Sequence, residues 1–251
     1  MTRKPIAAAK PAGKKAAELG TAPGTHRTRA MEPARPYATC PGSRIPSTKA
    51  PASQTAPAGM QLHTRDGARK YLTASERDLF LKTAERGDRD ARTFCMTLAY
   101  AGCRLSEALA LTADRVDLAA SVLIFESLKK RRPGIYRAVP VPPALLEALD
   151  LVHGIREVQG KRGKGQDVRL WPWSRMTAWR QVHAVMEAAK LSGVKASPKG
   201  LRHGFGVTAV SAGIPLNLVQ KWLGHAQLST TAIYADAVGA EEQDIAQRMW
   251  K

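Results

Sequence analysis

Two arginines and a tyrosine carry the chemistry this sequence offers. Arg104 follows Ala101-Gly-Cys at the start of a helix, three residues before Glu107. Arg202 sits in Lys199-Gly-Leu-Arg-His-Gly204, and Tyr234 closes Ser229-Thr-Thr-Ala-Ile-Tyr, nine residues after His225 of Leu223-Gly-His. The zinc motif H-E-x-x-H, the phosphate loop G-x-x-x-x-G-K-[ST] and the nucleophile elbow G-x-S-x-G do not occur. Asp88, Asp90, Asp114 and Asp117 fall on expected helix starts and loops, not in a cluster suited to two-metal phosphoryl chemistry. If the substrate is DNA, the protein's own cations must stabilise the charge on a five-coordinate phosphorus. Arginine suits this, because its fork binds two phosphate oxygens at once. The tyrosine hydroxyl would then supply the nucleophile.

The charge balance agrees with such a partner. The 251 residues hold 39 Lys+Arg against 21 Asp+Glu, a formal net charge of +18 and a sequence pI near 10.3. An excess this large points to a polyanion. It is of two kinds. Residues 1–60 contain ten basic and two acidic residues and nine of the 16 prolines. Their larger apolar side chains are too few to offset chain entropy, so residues 1–62 read as a disordered basic tail. A start at Met31 or Met60 and an organelle transit peptide are alternative readings of the same composition. Residues 63–251 carry the patterning of one folded domain. No apolar run is long enough for a transmembrane helix, and no apolar stretch follows the first lysines as a secretory signal requires. Cys40, Cys95 and Cys103 show no C-x-x-C spacing, which favours a reducing cytoplasm over a disulfide scaffold. Cys95 and Cys103 read as small packing residues.

The elements that must position these groups are mostly helical. Thr73-Ala-Ser-Glu76 is a capping box opening a helix to about Glu85. A second helix from Asp88 sets Ala91, Phe94, Cys95, Leu98 and Ala99 at helical spacing and stops at Gly102. A third turns Leu105, Ala108 and Leu109 inward. Then the period changes: Ser121–Phe125 and Ile135–Val141 read as an antiparallel hairpin whose tip holds Lys129, Lys130, Arg131 and Arg132. Pro142-Pro143 begins a helix with Leu145, Leu146, Leu149 and Val152 inward. A loop covers 159–167, and a helix over 176–190 points Trp179, Val182, Met186 and Ala189 to one side. Over 199–212 three glycines oppose a helix by propensity, yet Leu201, Phe205, Thr208, Ala209 and Ala212 keep its period. Leu218, Val219, Trp222 and Leu223 continue an apolar face to Gly224. The end of the chain offers an amphipathic piece with Ile245, Met249 and Trp250. The fold class is mainly α with a small antiparallel β-sheet.

From about residue 70 to 237 the chain resembles the catalytic domain of the tyrosine recombinases, the phage-integrase family. Four stretches carry the resemblance: Tyr100-Ala-Gly-Cys-Arg-Leu-Ser-Glu-Ala-Leu109; Lys129 of the hairpin with Arg137-Ala-Val-Pro-Val-Pro142; Leu201-Arg-His-Gly-Phe205; and Val219-Gln-Lys-Trp-Leu-Gly-His-Ala-Gln-Leu-Ser-Thr-Thr-Ala-Ile-Tyr234. The resemblance implies that fold, and these roles. Tyr234 attacks a phosphodiester to give a 3′-phosphotyrosyl bond and a free 5′-hydroxyl. Arg104 and Arg202 clamp the non-bridging oxygens, and His225 donates a further hydrogen bond. Lys129, or its neighbour Lys130, is the general acid for the leaving oxygen. Glu107 orients the clamp from behind, His203 supports the site, and Lys130, Arg131, Arg132 and Arg137 contact DNA. No metal and no cofactor are implied.

Two departures from the family's pattern stand out. The position three before the second arginine is usually His and here is Lys199. A lysine can donate to the phosphate side but, while charged, cannot accept a proton from Tyr234. The tail also lacks the composition of the helical core-binding domain that precedes many catalytic domains, so the chain resembles the members built from a catalytic domain alone. The reading is a site-specific DNA recombinase of a mobile element or phage. It would act as a homotetramer on double-stranded recombination sites, with an accessory recombinase or DNA-bending protein as possible partner, in the bacterial cytoplasm at the nucleoid, without membrane contact. The alternatives are a type IB topoisomerase-like relaxing enzyme and a catalytically silent DNA-binding regulator.

Overall fold

The computed structural model describes residues 61–127, 134–161, 167–235 and 246–250. Its first helix, α1 (Ala74–Ala84), begins with the reciprocal cap implied by Thr73 and Glu76. Thr73 Oγ1 accepts from the Glu76 N–H at 3.3 Å, and Glu76 Oε2 accepts from the Thr73 N–H at 2.9 Å. Glu76 also receives Arg69 at 2.7 Å and Lys195 at 2.5 Å, which pins two distant loops to the start of α1. α2 (Arg89–Ala101) is capped by the Asp88 carboxylate and ends at Gly102 in the left-handed region, φ 56°. The expected stripe from Ala91 to Ala99 is buried. α3 (Leu105–Leu109) follows at once, with Arg104 at its cap.

The sheet has three strands in the order β1 (Val116–Asp117), β2 (Val122–Glu126), β3 (Tyr136–Pro140), all antiparallel. β2 and β3 are the expected hairpin, in the register Leu123 to Val139 and Phe125 to Arg137. β1 was not foreseen, because two residues show no alternation, and it takes Asp117 out of the loop assigned to it. The hairpin tip, with Lys129, Lys130, Arg131 and Arg132, lies outside the described residues, as do residues 1–60 and Ile245.

α4 (Pro143–His153) buries Leu145, Leu146 and Leu149 and is capped by Gly154. A further helix, α5 (Ile155–Gly160), was not foreseen; it fills the stretch after α4 and takes in the first two residues of the expected 159–167 loop, with Ile155 its one buried anchor. α6 (Arg175–Ala188) buries Ala178, Val182 and Met186, a strict i, i+4 row. Trp179 is next to that row, not on it. It is 42% exposed and stacks on His183 at 4.8 Å, so its expected inward place is corrected. α7 (Pro198–Ser211), α8 (Leu216–Leu223) and α9 (Ser229–Ala232) complete the fold, and Met249 and Trp250 are largely exposed.

Residues of α7 are buried on nearly every side, which explains its glycines. A Cβ on Gly204 would stand 2.5 Å from the Leu72 carbonyl oxygen, and one on Gly206 would stand 2.6 Å from the Tyr234 ring. Close approach, not flexibility, requires glycine there; the helical propensity lost is about 1 kcal/mol at each. The apolar interior forms two clusters among the described residues. A large one joins α1, α2, α3, the sheet, α4 and α6. A small one joins Leu62, Tyr71, Val207, Ala209, Val219, Leu223, Ile233 and Tyr234.

Candidate active site

Arg104, Lys199, Arg202, His203, His225 and Tyr234 all line one open cavity of about 710 Å³. They come from the α2–α3 junction, from α7, and from the segment running from the end of α8 to the end of α9. A strand of the double helix is far larger than this space, but one phosphodiester fits it.

The arginines are held from behind. Arg202 is 8% exposed; its Nη1 donates to the Gly102 carbonyl at 2.8 Å and its Nη2 to the Leu223 carbonyl at 2.6 Å. Burial, with the charge of Arg104 nearby, pushes its pKa down to about 10, still well above neutral pH. Arg104 donates Nη1 to Glu107 Oε1 at 2.7 Å, while its backbone N–H donates to Glu107 Oε2 at 2.8 Å. Glu107 is buried. Burial alone would raise its pKa, but the hydrogen bond and charge of Arg137, with those of Arg104, hold it below the ordinary 4.5. The carboxylate is therefore ionised and fixes the Arg104 fork.

Arg137 is not a DNA-facing residue in this structure. Strand alternation puts it on the same face as the buried Val139, where its guanidinium lies 5.3 Å over the Phe125 ring. Its Nη2 donates to Glu107 Oε2 at 2.6 Å and its Nε to the Trp222 carbonyl at 2.7 Å. It is an internal strut between the sheet, α3 and α8. Period-two reading of Ile135, Arg137, Val139 and Val141 carried that signal.

Tyr234 is 1% exposed, its ring packed on the bare backbone of Gly206. Its hydroxyl lies 3.2 Å from His203 Nδ1. Burial raises its pKa, against the pull of Arg202 and Arg104, so the phenol keeps its proton. His225 stacks on Tyr234 with ring centroids 6.2 Å apart and pairs through Nδ1 with the Thr231 hydroxyl at 2.9 Å. Burial and the charges of Arg202 and Arg104 push His225 down to about 3. Burial, then Lys199, Arg202 and Lys70, push His203 to about 4. Both rings are neutral near pH 7. His225 also lines a second groove of about 390 Å³ between β3 and α8, together with Ser127, Tyr136 and Gln220.

Cys103 lines the cavity too, but burial lifts its thiol to about 12, which suits packing and not nucleophilic attack. Sequence reasoning gave no site role to Leu105, Ser106, Ser197 and Pro198, nor to Arg175 and Trp179 at the exposed start of α6, all of which line the cavity. It also missed the contact between His203 and Tyr234, which are 31 residues apart and share no periodic pattern.

Residues 70–240 match the model of the phage integrase family. The chain is 37% identical over 143 residues to the tyrosine recombinase XerD of Mycobacterium tuberculosis, covering 53% of this chain and 43% of that protein. It is 32% identical over 192 residues to XerD of Pseudomonas aeruginosa, covering 71% of this chain and 61% of the relative. The match to the first of these relatives thus spans less than half of its length. Among solved structures, the XerA recombinase matches with a TM-score of 0.60 at 22% identity, over 72% of this chain and 65% of that one. XerH bound to its difH substrate before cleavage matches with a TM-score of 0.57 at 21% identity, over 75% and 60%. At these identities the structural likeness is one of fold.

Proposed function

Because the chain belongs to the phage integrase family of tyrosine recombinases, we propose that it cleaves and rejoins DNA strands at specific sites. Tyr234 attacks the phosphorus, a 3′-phosphotyrosyl bond forms, and the 5′-oxygen leaves as a hydroxyl. Arg104 and Arg202 hold the non-bridging oxygens, and His225 donates to one of them. Lys129 or Lys130 protonates the leaving oxygen. Ligation reverses the exchange, so the bond energy is kept and no nucleotide is consumed. The observation that carries this reading is the convergence of two arginines, a histidine and a buried tyrosine on one cavity. The guanidinia are in place before substrate arrives, so little reorganisation opposes the charge that develops on phosphorus.

XerH, a site-specific recombinase of similar fold, was captured on its difH substrate. By analogy, this chain takes double-stranded sites, four protomers to two duplexes, as an element-borne recombinase acting at the bacterial chromosome. The basic segment 1–62 and the hairpin residues Arg131 and Arg132 add sequence-independent phosphate contacts. The test is covalent trapping. A pool of nicked duplexes with a randomised core is incubated with the protein, and strands linked to protein are recovered and sequenced. Wild type should trap a defined site, and Tyr234→Phe should trap none. A wild type that binds the pool but traps nothing supports the silent regulator instead.

A further inference from the structure

The position that usually supplies a proton acceptor to the tyrosine is Lys199, yet Tyr234 holds its proton. We propose that His203 fills that role: its Nδ1 takes the hydroxyl proton as Tyr234 attacks. The inference rests on the cleavage reading above. In the step, the Oη–H bond breaks and the proton passes to Nδ1. The Oη lone pair forms the bond to phosphorus, and the bond from phosphorus to O5′ breaks, its electrons leaving on the oxygen that the general acid protonates. On ligation the imidazolium returns its proton to Oη.

Three observations support it. Nδ1 and Oη are 3.2 Å apart, within the reach a general base needs. The ring is unprotonated at rest, since burial and then Lys199, Arg202 and Lys70 hold its pKa near 4, leaving a lone pair to accept. The second ring nitrogen, Nε2, is buried without a hydrogen-bond partner. A histidine kept only for structure would be tied at both nitrogens; leaving one unpaired costs about 1–3 kcal/mol. The cationic surroundings that make His203 a weak base at rest are offset when an anionic phosphate enters the cavity. They also make its imidazolium short-lived, which favours return of the proton and resealing of the strand.

The experiment uses the duplex that wild type selects from the randomised pool, in single turnover. His203→Asn places an amide oxygen near the Nδ1 position: it can accept a hydrogen bond but cannot hold the proton. His203→Ala leaves a space that free imidazole can fill. Both variants should lose about 10²–10⁴-fold in cleavage while binding the duplex within about threefold of wild type. Imidazole should restore His203→Ala with a pH dependence that follows imidazole's own titration. A duplex with sulfur in place of the bridging 5′-oxygen needs no acid, so it should rescue loss of the leaving-group acid and leave the His203 variants slow. Cleavage by His203→Asn within threefold of wild type overturns the proposal. So does rescue by the sulfur substrate, which would make His203 a donor to the leaving group. If His203→Asn does not fold, by its thermal transition, imidazole rescue of His203→Ala decides, and absence of rescue overturns the role. Failure of wild type to trap any duplex removes the cleavage reading itself, a separate result.

Discussion

The proposed clamp and the proposed nucleophile share a cavity but are built differently. Cys103 and Leu201, the chain neighbours of Arg104 and Arg202, belong to the large cluster, and the two guanidinia are fixed by the Gly102 and Leu223 carbonyls and by Glu107, with Leu223 itself in the small cluster. Tyr234 belongs to the small cluster of eight buried residues, and the hydrogen bond of its hydroxyl goes to His203. On the proposed reading, the cations that meet the phosphate are tied mainly to the larger cluster and through Leu223 to the smaller one. The proposed nucleophile is held by packing on the smaller cluster, which should open at lower free energy than the larger one.

Removing Glu107 attacks the anchored side and should have the largest effect. Glu107→Ala strands Arg137 as a buried, partly unpaired charge and frees Arg104; loss of one partner from such a network costs about 3–5 kcal/mol. Urea unfolding should show a lower midpoint with unchanged slope, and cleavage should fall with it. A loss under about 1 kcal/mol would mean that the clamp is not anchored as described.

Gly206→Ala attacks the lighter side. The new methyl meets the Tyr234 ring at 2.6 Å, an overpacking of about 1–3 kcal/mol against which helix propensity returns about 1 kcal/mol. Global stability should move little. Hydrogen exchange should quicken in α8 and α9 and stay unchanged in α2 and α4. Equal changes in both would erase the distinction between the regions.

Mild acid separates them most gently. His203 and His225 have folded values near 4 and 3, below the ordinary 6.5. Between these values the unfolded chain binds more protons, so their share of stability is complete above pH 6.5 and is lost as pH falls towards 4 and 3. Glu107, lowered from 4.5, loses its share only below that value. Thermal midpoints should therefore begin to fall below pH 6.5, and the fall between pH 6.5 and 5 should shrink in His225→Asn. A midpoint flat down to pH 5 would contradict this.

Legibility followed a different line, between local spacing and tertiary docking. Arg104, Arg202, His225 and Tyr234 were named from local spacing and a family likeness, and they line one cavity; the capping box at Thr73 was read from local hydrogen bonding. Trp179 was misplaced because its neighbour Ala178 holds the inward row, and α5 was missed because a single apolar anchor gives no period. Arg137 shows a different limit. Charge suggested the surface, while alternation put the residue inside, where Glu107 and two aromatic or carbonyl faces accept it. The pairing of His203 with Tyr234 depends on how α9 docks on α7, and no local pattern encodes that.

Glycines 200, 204 and 206 have a consequence for synthesis of the protein. On its own, a segment with three glycines among fourteen residues does not hold a helix in water. It becomes helical by docking against Leu72 and Lys195 on one side and Tyr234 on the other. On the ribosome, Arg202 and His203 thus remain on a loose strand until the residues around Tyr234 have emerged. A nascent chain should then carry no assembled cavity, and the strand breakage proposed above would have to wait for a finished domain.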